Sequence, residues 1–296
     1  MDGILNVLKP PGMTSFDVVS YLRRILKTKK IGHAGTLDPG AAGVLPVCIG
    51  RATKSIEYMM EKDKSYRVEL TLGVSTDTQD AEGQVVERHQ VHLTEQQIVE
   101  CINHFIGKIE QIPPMYSAVK VEGKRLYELA RTGVTIEREA REVEIYSINI
   151  LEIFENNTKV LFDVTCSKGT YIRTLCADIG EKLGCGGHMS FLIRTRAGIF
   201  DICHALTLED IAELAIEGKM NDILVKVEEI FKNLQKVELD EFSTKKFLNG
   251  VFVKLDYLDV KPGETLAVFN NSNVFFALGE VFLKQGKPMM KLKKVF

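Results

Sequence analysis

Apolar residues recur along this chain with two different periods. Residues 66–72 (YRVELTL) set Tyr66, Val68, Leu70 and Leu72 on one side and polar groups on the other, the alternation of a half-buried strand. Residues 158–166 alternate in the same way, with Val160, Phe162, Val164 and Cys166 on one side, and 144–151 also reads as a strand. A helical period appears at Val18, Leu22, Ile25 and Leu26, behind a cap at Thr14 or Ser15. Thr94-Glu95-Gln96-Gln97 is a capping box that opens a helix with Ile98, Cys101, Ile102 and Phe105 inward, closing near Gly107. Leu175, Ile179 and Leu183 lie on one face of a further helix that stops at Gly184, and 207–218 is another short capped helix.

Residues 76–83 are a polar turn before a strand at about 84–88, and Pro113-Pro114 breaks the chain. The charge-dense stretch 123–145 reads as a short helix and an excursion from the sheet. After about residue 230, short Val- and Phe-rich strands are split by turn signals at 261–263 and 270–273. Strands and helices interleave without a regular βαβ rhythm. The pattern predicts an α+β fold, a mixed or antiparallel central sheet flanked by helices, over residues 1–230. A small all-β domain is expected over 231–296.

Composition narrows the class. Of 296 residues, 45% are apolar and 26% charged, which is ordinary for a globular protein. No apolar run is long enough to span a membrane and no secretory signal opens the chain, so a cytoplasmic location is expected. The net charge of −2 makes no global case for nucleic acid, so any such partner needs a locally basic face. Two runs qualify, 23–30 (RRILKTKK) and the lysines after Leu283, although a charge run is more often just a solvated face. The six cysteines have neither Cys-x-x-Cys nor finger spacing, which argues against structural zinc and for reduced, buried thiols.

The chemistry concentrates in residues 31–54, read as a glycine-rich loop. Asp38 is its single carboxylate, and no other acid lies between Asp17 and Glu57. Alone, Asp38 in Asp-Pro-Gly is as easily a turn residue or a cap as a nucleophile. Gly35 to Gly40 has the glycine spacing of a phosphate-binding loop, but Ala41-Ala42 stand where Lys-Ser/Thr is required. Gly184-Cys185-Gly186 lacks the third glycine of a dinucleotide fingerprint. His33, with Lys54 or Arg51, has the chemistry to contact Asp38. Lys168 to Arg173 (KGTYIR) brings a Tyr and an Arg to a strand-to-helix junction.

Several blocks in order resemble the bacterial tRNA pseudouridine synthase B family. They are 9–15 (KPPGMTS), 32–39 (GHAGTLDP) with 42–46 (AGVLP), 63–68 (DKSYRV), 111–118 (QIPPMYSA), 166–173 and 181–186. They cover roughly the first two-thirds of the chain, and the C-terminal part is similar to the RNA-binding PUA-like domain of that family. The resemblance implies isomerisation of uridine to pseudouridine at position 55 in the T loop of tRNA, without cofactor or metal. It implies Asp38 as nucleophile, with Arg173 paired to it and lowering its pKa. Tyr66 would stack on the flipped base and assist proton transfer, Tyr171 and Leu192 would line the base pocket, and His33 would fill the vacated space. Lys54 would contact substrate. The excursion 123–145 would clamp RNA through Lys124, Arg125 and Arg131, and the two basic runs would meet the backbone. The expected partner is tRNA alone, bound by a monomer with no membrane, obligatory protein or guide RNA. An RNA chaperone and a guide-RNA-dependent synthase are the competing classes.

Overall fold

The computed structural model describes residues 1–296 except 118, 122, 131, 135, 256 and 257, and describes the backbone alone at 120, 121, 124, 125 and 127. Strand β1 (Gly3–Lys9) leads into helix α1 (Ser15–Ile25), β2 (Ile31–His33) and β3 (Ala42–Ile49). A 3-10 turn (Gly50–Ser55) and α2 (Ile56–Met60) precede β4 (Lys64–Leu72), the β5 (Val74–Thr76) and β6 (Val85–Arg88) hairpin, α3 (Glu95–Asn103) and β7 (Gly107–Gln111). The excursion holds β8 (Lys120–Val121), β9 (Lys124–Arg125) and α4 (Leu126–Ala130). Then come β10 (Arg141–Phe154), β11 (Lys159–Cys166), α5 (Ile172–Lys182), β12 (Gly187–Ala197), β13 (Phe200–Asp201), α6 (Leu208–Ile216) and α7 (Met220–Ile223). The last part comprises β14 (Lys236–Leu239), α8 (Glu241–Leu248), β15 (Val253–Lys254), β16 (Thr265–Asn270), β17 (Phe275–Lys284) and β18 (Lys287–Val295).

The main sheet has the order β1-β3-β12-β4-β11-β10-β7, with β2 on β3 and β13 on β12. Within this sheet the β3–β12 pair is the only parallel one among the described strands. This is the expected mixed sheet. One core packs α3 and α5 on it through Ile98, Ile102, Leu175 and Ile179 against Val68, Leu70 and Phe162. A second packs α1 and α6 on β1 and β3 through Val18, Leu22 and Ile211. Each fully buried side chain of this kind contributes about 1.5–3 kcal/mol. The helix starts follow the sequence closely: Thr14 caps α1 in a reciprocal box with Asp17, and Thr94 does the same with Gln97 for α3.

Three readings change. Much of the segment read as a loop is strand, because Val44 to Ile49 is buried on both faces and shows no alternation. Residues 141–145 belong to the sheet and not to the excursion. Val143 and Ile145 point inward and the segment pairs with Gly107–Gln111, while its outer residues supply the charge that marked it as irregular. Five of the six cysteines are buried, but Cys203 is exposed.

The C-terminal sheet has the order β14-β16-β17-β18-β15 and carries one helix, α8. It seats on the rest of the chain through Phe275 and Phe296, whose rings lie 5.5 Å and 5.4 Å from that of Phe231. Among the described residues no helix is long and apolar enough to cross a membrane.

Candidate active site

Asp38 sits in the connection between β2 and β3, and buried groups hold that connection by its backbone. Lys9, fully buried at the end of β1, donates from Nζ to the carbonyls of Pro10 (2.8 Å), Met13 (2.6 Å) and Pro39 (3.1 Å). The Ser15 hydroxyl accepts from the Leu37 amide at 2.9 Å and donates to the Leu37 carbonyl at 3.2 Å. Arg194, on β12, donates from Nε to the Val44 carbonyl (2.7 Å), from Nη2 to Gly35 (3.1 Å) and from Nη1 to Thr36 (3.4 Å). Hydrogen bonds to charged donors contribute about 1.5–3 kcal/mol each, so the peptide presenting Asp38 is preorganised. Burial, opposed by the attraction of Asp38, lowers the pKa of Lys9 to about 8.

Arg173 meets Asp38 from the first turn of α5. Its Nε lies 3.0 Å from Oδ2 and its Nη2 3.2 Å from Oδ1. The same guanidinium donates to the Tyr116 carbonyl (2.8 Å), the Thr78 carbonyl (3.3 Å) and Asp80 Oδ2 (3.4 Å). The arginine side chain is 6% exposed and the aspartate 38%, so the carboxylate remains reachable from outside while its partner does not. The pairing expected from the resemblance is present and Arg173 pulls the Asp38 pKa down as expected, but it does not set the net direction. Burial and the charge of Asp80 raise the Asp38 pKa, and the pull of Arg173 and Lys9 does not offset them.

Tyr66 and Leu192 stand in the same apolar core as Leu37 and Ile172, which walls one side of the site. Burial pushes the Tyr66 phenol up to about 12, against the pull of the Arg194 guanidinium beside it. Tyr66 is therefore neutral at pH 7, a hydroxyl donor. Tyr171 caps α5 without a side-chain bond, and buried Gln111 holds its backbone, accepting from Tyr171 N at 3.0 Å and donating to its carbonyl at 3.3 Å. His33 ends β2, half-buried. Burial and the positive charge of Arg194 lower its pKa, and its Nδ1 is enclosed without a hydrogen-bond partner among the described residues.

Lys54 and Arg51 do not reach Asp38. Both follow β3, whose eight residues carry them roughly 25 Å along the strand from the loop. Lys54 Nζ donates to the Val295 carbonyl at 2.8 Å, and Arg51 pairs with Asp2 at 3.0 Å. Arg131 and the side chains of Lys124 and Arg125 lie outside the described residues. Lys291 and Lys293 pair with Glu280, and Lys294 with Glu57, so three of the C-terminal lysines already have carboxylate partners. Among the described residues no three His, Cys, Asp or Glu side chains are placed to hold a metal ion.

Sequence reasoning missed Asp80, Lys9, Arg194 and Gln111 as parts of this site. Asp80 lies in a segment that reads as a plain polar turn, and its other oxygen does accept from Thr78 Oγ1 at 2.5 Å. Lys9 stood in a quoted block, yet nothing local marks a lysine before Pro-Pro as buried.

Residues 23–172 match the N-terminal domain of TruB family pseudouridylate synthases, and residues 173–237 match the tRNA pseudouridylate synthase B C-terminal domain. The fold and family are thus those of a pseudouridine synthase, an RNA-modifying enzyme. The tRNA pseudouridine synthase B of Alkaliphilus oremlandii is 52% identical over 87% of this chain and 85% of its own length. That of Clostridium perfringens is 46% identical over 100% of this chain and 99% of its own. Among solved structures, a Cbf5-Nop10-Gar1 complex aligns with a TM-score of 0.76 at 29% identity, over 99% of this chain and 84% of that one. The chain belongs to the TruB family, and its activity is that of a tRNA pseudouridine synthase.

Proposed function

We propose that the chain converts uridine 55 in the T loop of tRNA to pseudouridine, with Asp38 as nucleophile and the target base flipped from the loop. The observation that carries this reading is the Asp38 carboxylate, held at both oxygens by Arg173 yet still reachable. In the net reaction the N1–C1′ bond breaks and C5 bonds to C1′, while C5 loses a proton and N1 gains one. No electron leaves and no group is transferred, so the balance needs no cofactor. A raised pKa makes Asp38 a stronger base and nucleophile once ionised, and Arg173 and Lys9 favour its ionisation.

Extruding a stacked base costs a few kcal/mol. Tyr66, Tyr171 and Leu192 receive the base, with the neutral Tyr66 hydroxyl available to donate a hydrogen bond. His33, held neutral by its surroundings, takes the vacated stacking position. Residues 1–230 carry the chemistry, and 231–296 with the basic run at 23–30 add RNA contacts. The chain acts as a monomer in the cytoplasm on tRNA alone.

The test is to incubate the purified chain with an unmodified tRNA transcript and map pseudouridine. Conversion at position 55, lost in Asp38→Asn with tRNA binding retained, is expected. Retained turnover in that variant removes Asp38 from its role. The similarity to Cbf5 complexes favours a second reading, a synthase that needs guide RNA and partner proteins. Turnover on bare transcript excludes it.

A further inference from the structure

Among the described residues Arg194 is the largest fully buried side chain, 1% exposed, and no carboxylate pairs with it. Stability alone does not favour such a group, since an apolar side chain of similar volume avoids the cost of burying an uncompensated charge. Its surroundings show what it does instead. On β12 it stands directly across from Tyr66 on β4, and on the other side it neighbours Gly43 on β3. Opposed residues of an antiparallel pair share a face, so guanidinium and phenol lie side by side. Gly43 has φ +113°, and a Cβ there would lie 2.3 Å from the Arg194 carbonyl oxygen, so the two backbones meet where only glycine fits. A register irregularity between Arg194 and Arg196 breaks the ladder beside this point, a device that re-aims side chains at sites. From there the guanidinium reaches Gly35, Thr36 and Val44, the two ends of the Asp38 connection.

We infer that Arg194 is a positioning residue that locks the Asp38 loop and the Tyr66 phenol into one rigid unit. A guanidinium has donors only. Towards the loop it satisfies three carbonyls. Towards Tyr66 it leaves the phenol oxygen the accepting side, so the phenolic hydrogen turns away from Arg194 and towards the base pocket. A lysine cannot do both, because a single ammonium has no fork to span the loop and the phenol. The inference rests on the reaction proposed above, in which Asp38 and Tyr66 act on the same uridine.

The test is a double-variant cycle with Arg194→Met and Tyr66→Phe, read by single-turnover rates and KM on tRNA. Arg194→Met is expected to lower the rate on the order of 100-fold, the scale of a misplaced catalytic group, with KM little changed. In the Tyr66→Phe background the further loss is expected to be smaller, because the part of it that comes from orienting the phenolic hydroxyl is already gone and only the loop's share remains. Equal losses in both backgrounds, or a change confined to KM, overturn the inference. If Arg194→Met fails to fold by circular dichroism, Arg194→Lys carries the test, and wild-type turnover in that folded variant overturns it. Lack of turnover by the wild type on the same tRNA would instead count against the proposed reaction.

Discussion

Arg173 grips Asp38 with two nitrogens, Nε at 3.0 Å from Oδ2 and Nη2 at 3.2 Å from Oδ1, across 135 residues of sequence. The fork fixes the carboxylate in orientation as well as in charge. Because the same group holds the Tyr116 and Thr78 carbonyls and Asp80, it also ties the segments at 78–80 and 116 to the site.

Arg173→Lys keeps the charge and loses the fork. The expected result is a fall in kcat on the order of 100-fold, since a small displacement of a reacting group is enough for that loss. Single-turnover kinetics on tRNA check it, and an unchanged kcat refutes the orientation argument.

Asp38→Asn tests the sign of the electrostatics. A carboxylate whose folded pKa is raised above its unfolded value favours folding least when ionised. Its contribution is fully present below the unfolded pKa, about 3.9, and is lost as pH rises through the folded pKa. Asn, uncharged at every pH, escapes this loss. At pH 7 Asp38→Asn is therefore expected to melt at or above the wild-type Tm, with the difference shrinking towards pH 4. Calorimetry at both pH values decides it, and a lower Tm for the variant at pH 7 contradicts the raised pKa. The same shift places the acid limb of the wild-type pH–rate profile above the ordinary aspartate value.

Much of this was legible beforehand, for reasons that can be stated. The alternation at 66–72 and the capping box at Thr94 are local signals, and the structure keeps both. Strands β3 and β12 left no such signal. They lie in the middle of the sheet, where β3 is buried on both faces and period-2 patterning disappears. Lys9 and Arg194 were invisible for a different reason. Their residue types are read as surface, and only the fold shows that backbone carbonyls surround them. Asp38 and Arg173 were singled out by their motifs, but the direction of the Asp38 shift required knowing how deeply it lies and that Asp80 is near.

Lys9→Met leaves the carbonyls of Pro10, Met13 and Pro39 without their donor. Hydrogen bonds to a charged donor contribute about 1.5–3 kcal/mol, so a loss of stability of about that size is expected in urea unfolding. Activity should fall with it, because Pro39 adjoins Asp38. A variant with unchanged stability shows that Lys9 does not brace the loop.

The charged surface makes a prediction about salt. Lys27, Lys29 and Lys30 are exposed beside the end of α1, whereas Lys291, Lys293 and Lys294 are paired with Glu280 and Glu57. Each lysine that neutralises an RNA phosphate adds about 0.7–0.9 to the slope of log K against log salt. Replacing the first three by Gln is expected to reduce that slope by about 2, while replacing the second three should change it far less. Filter binding of tRNA between low and physiological salt measures both. If the C-terminal set carries the larger slope, RNA displaces their carboxylate partners and the paired arrangement is not the one that meets substrate.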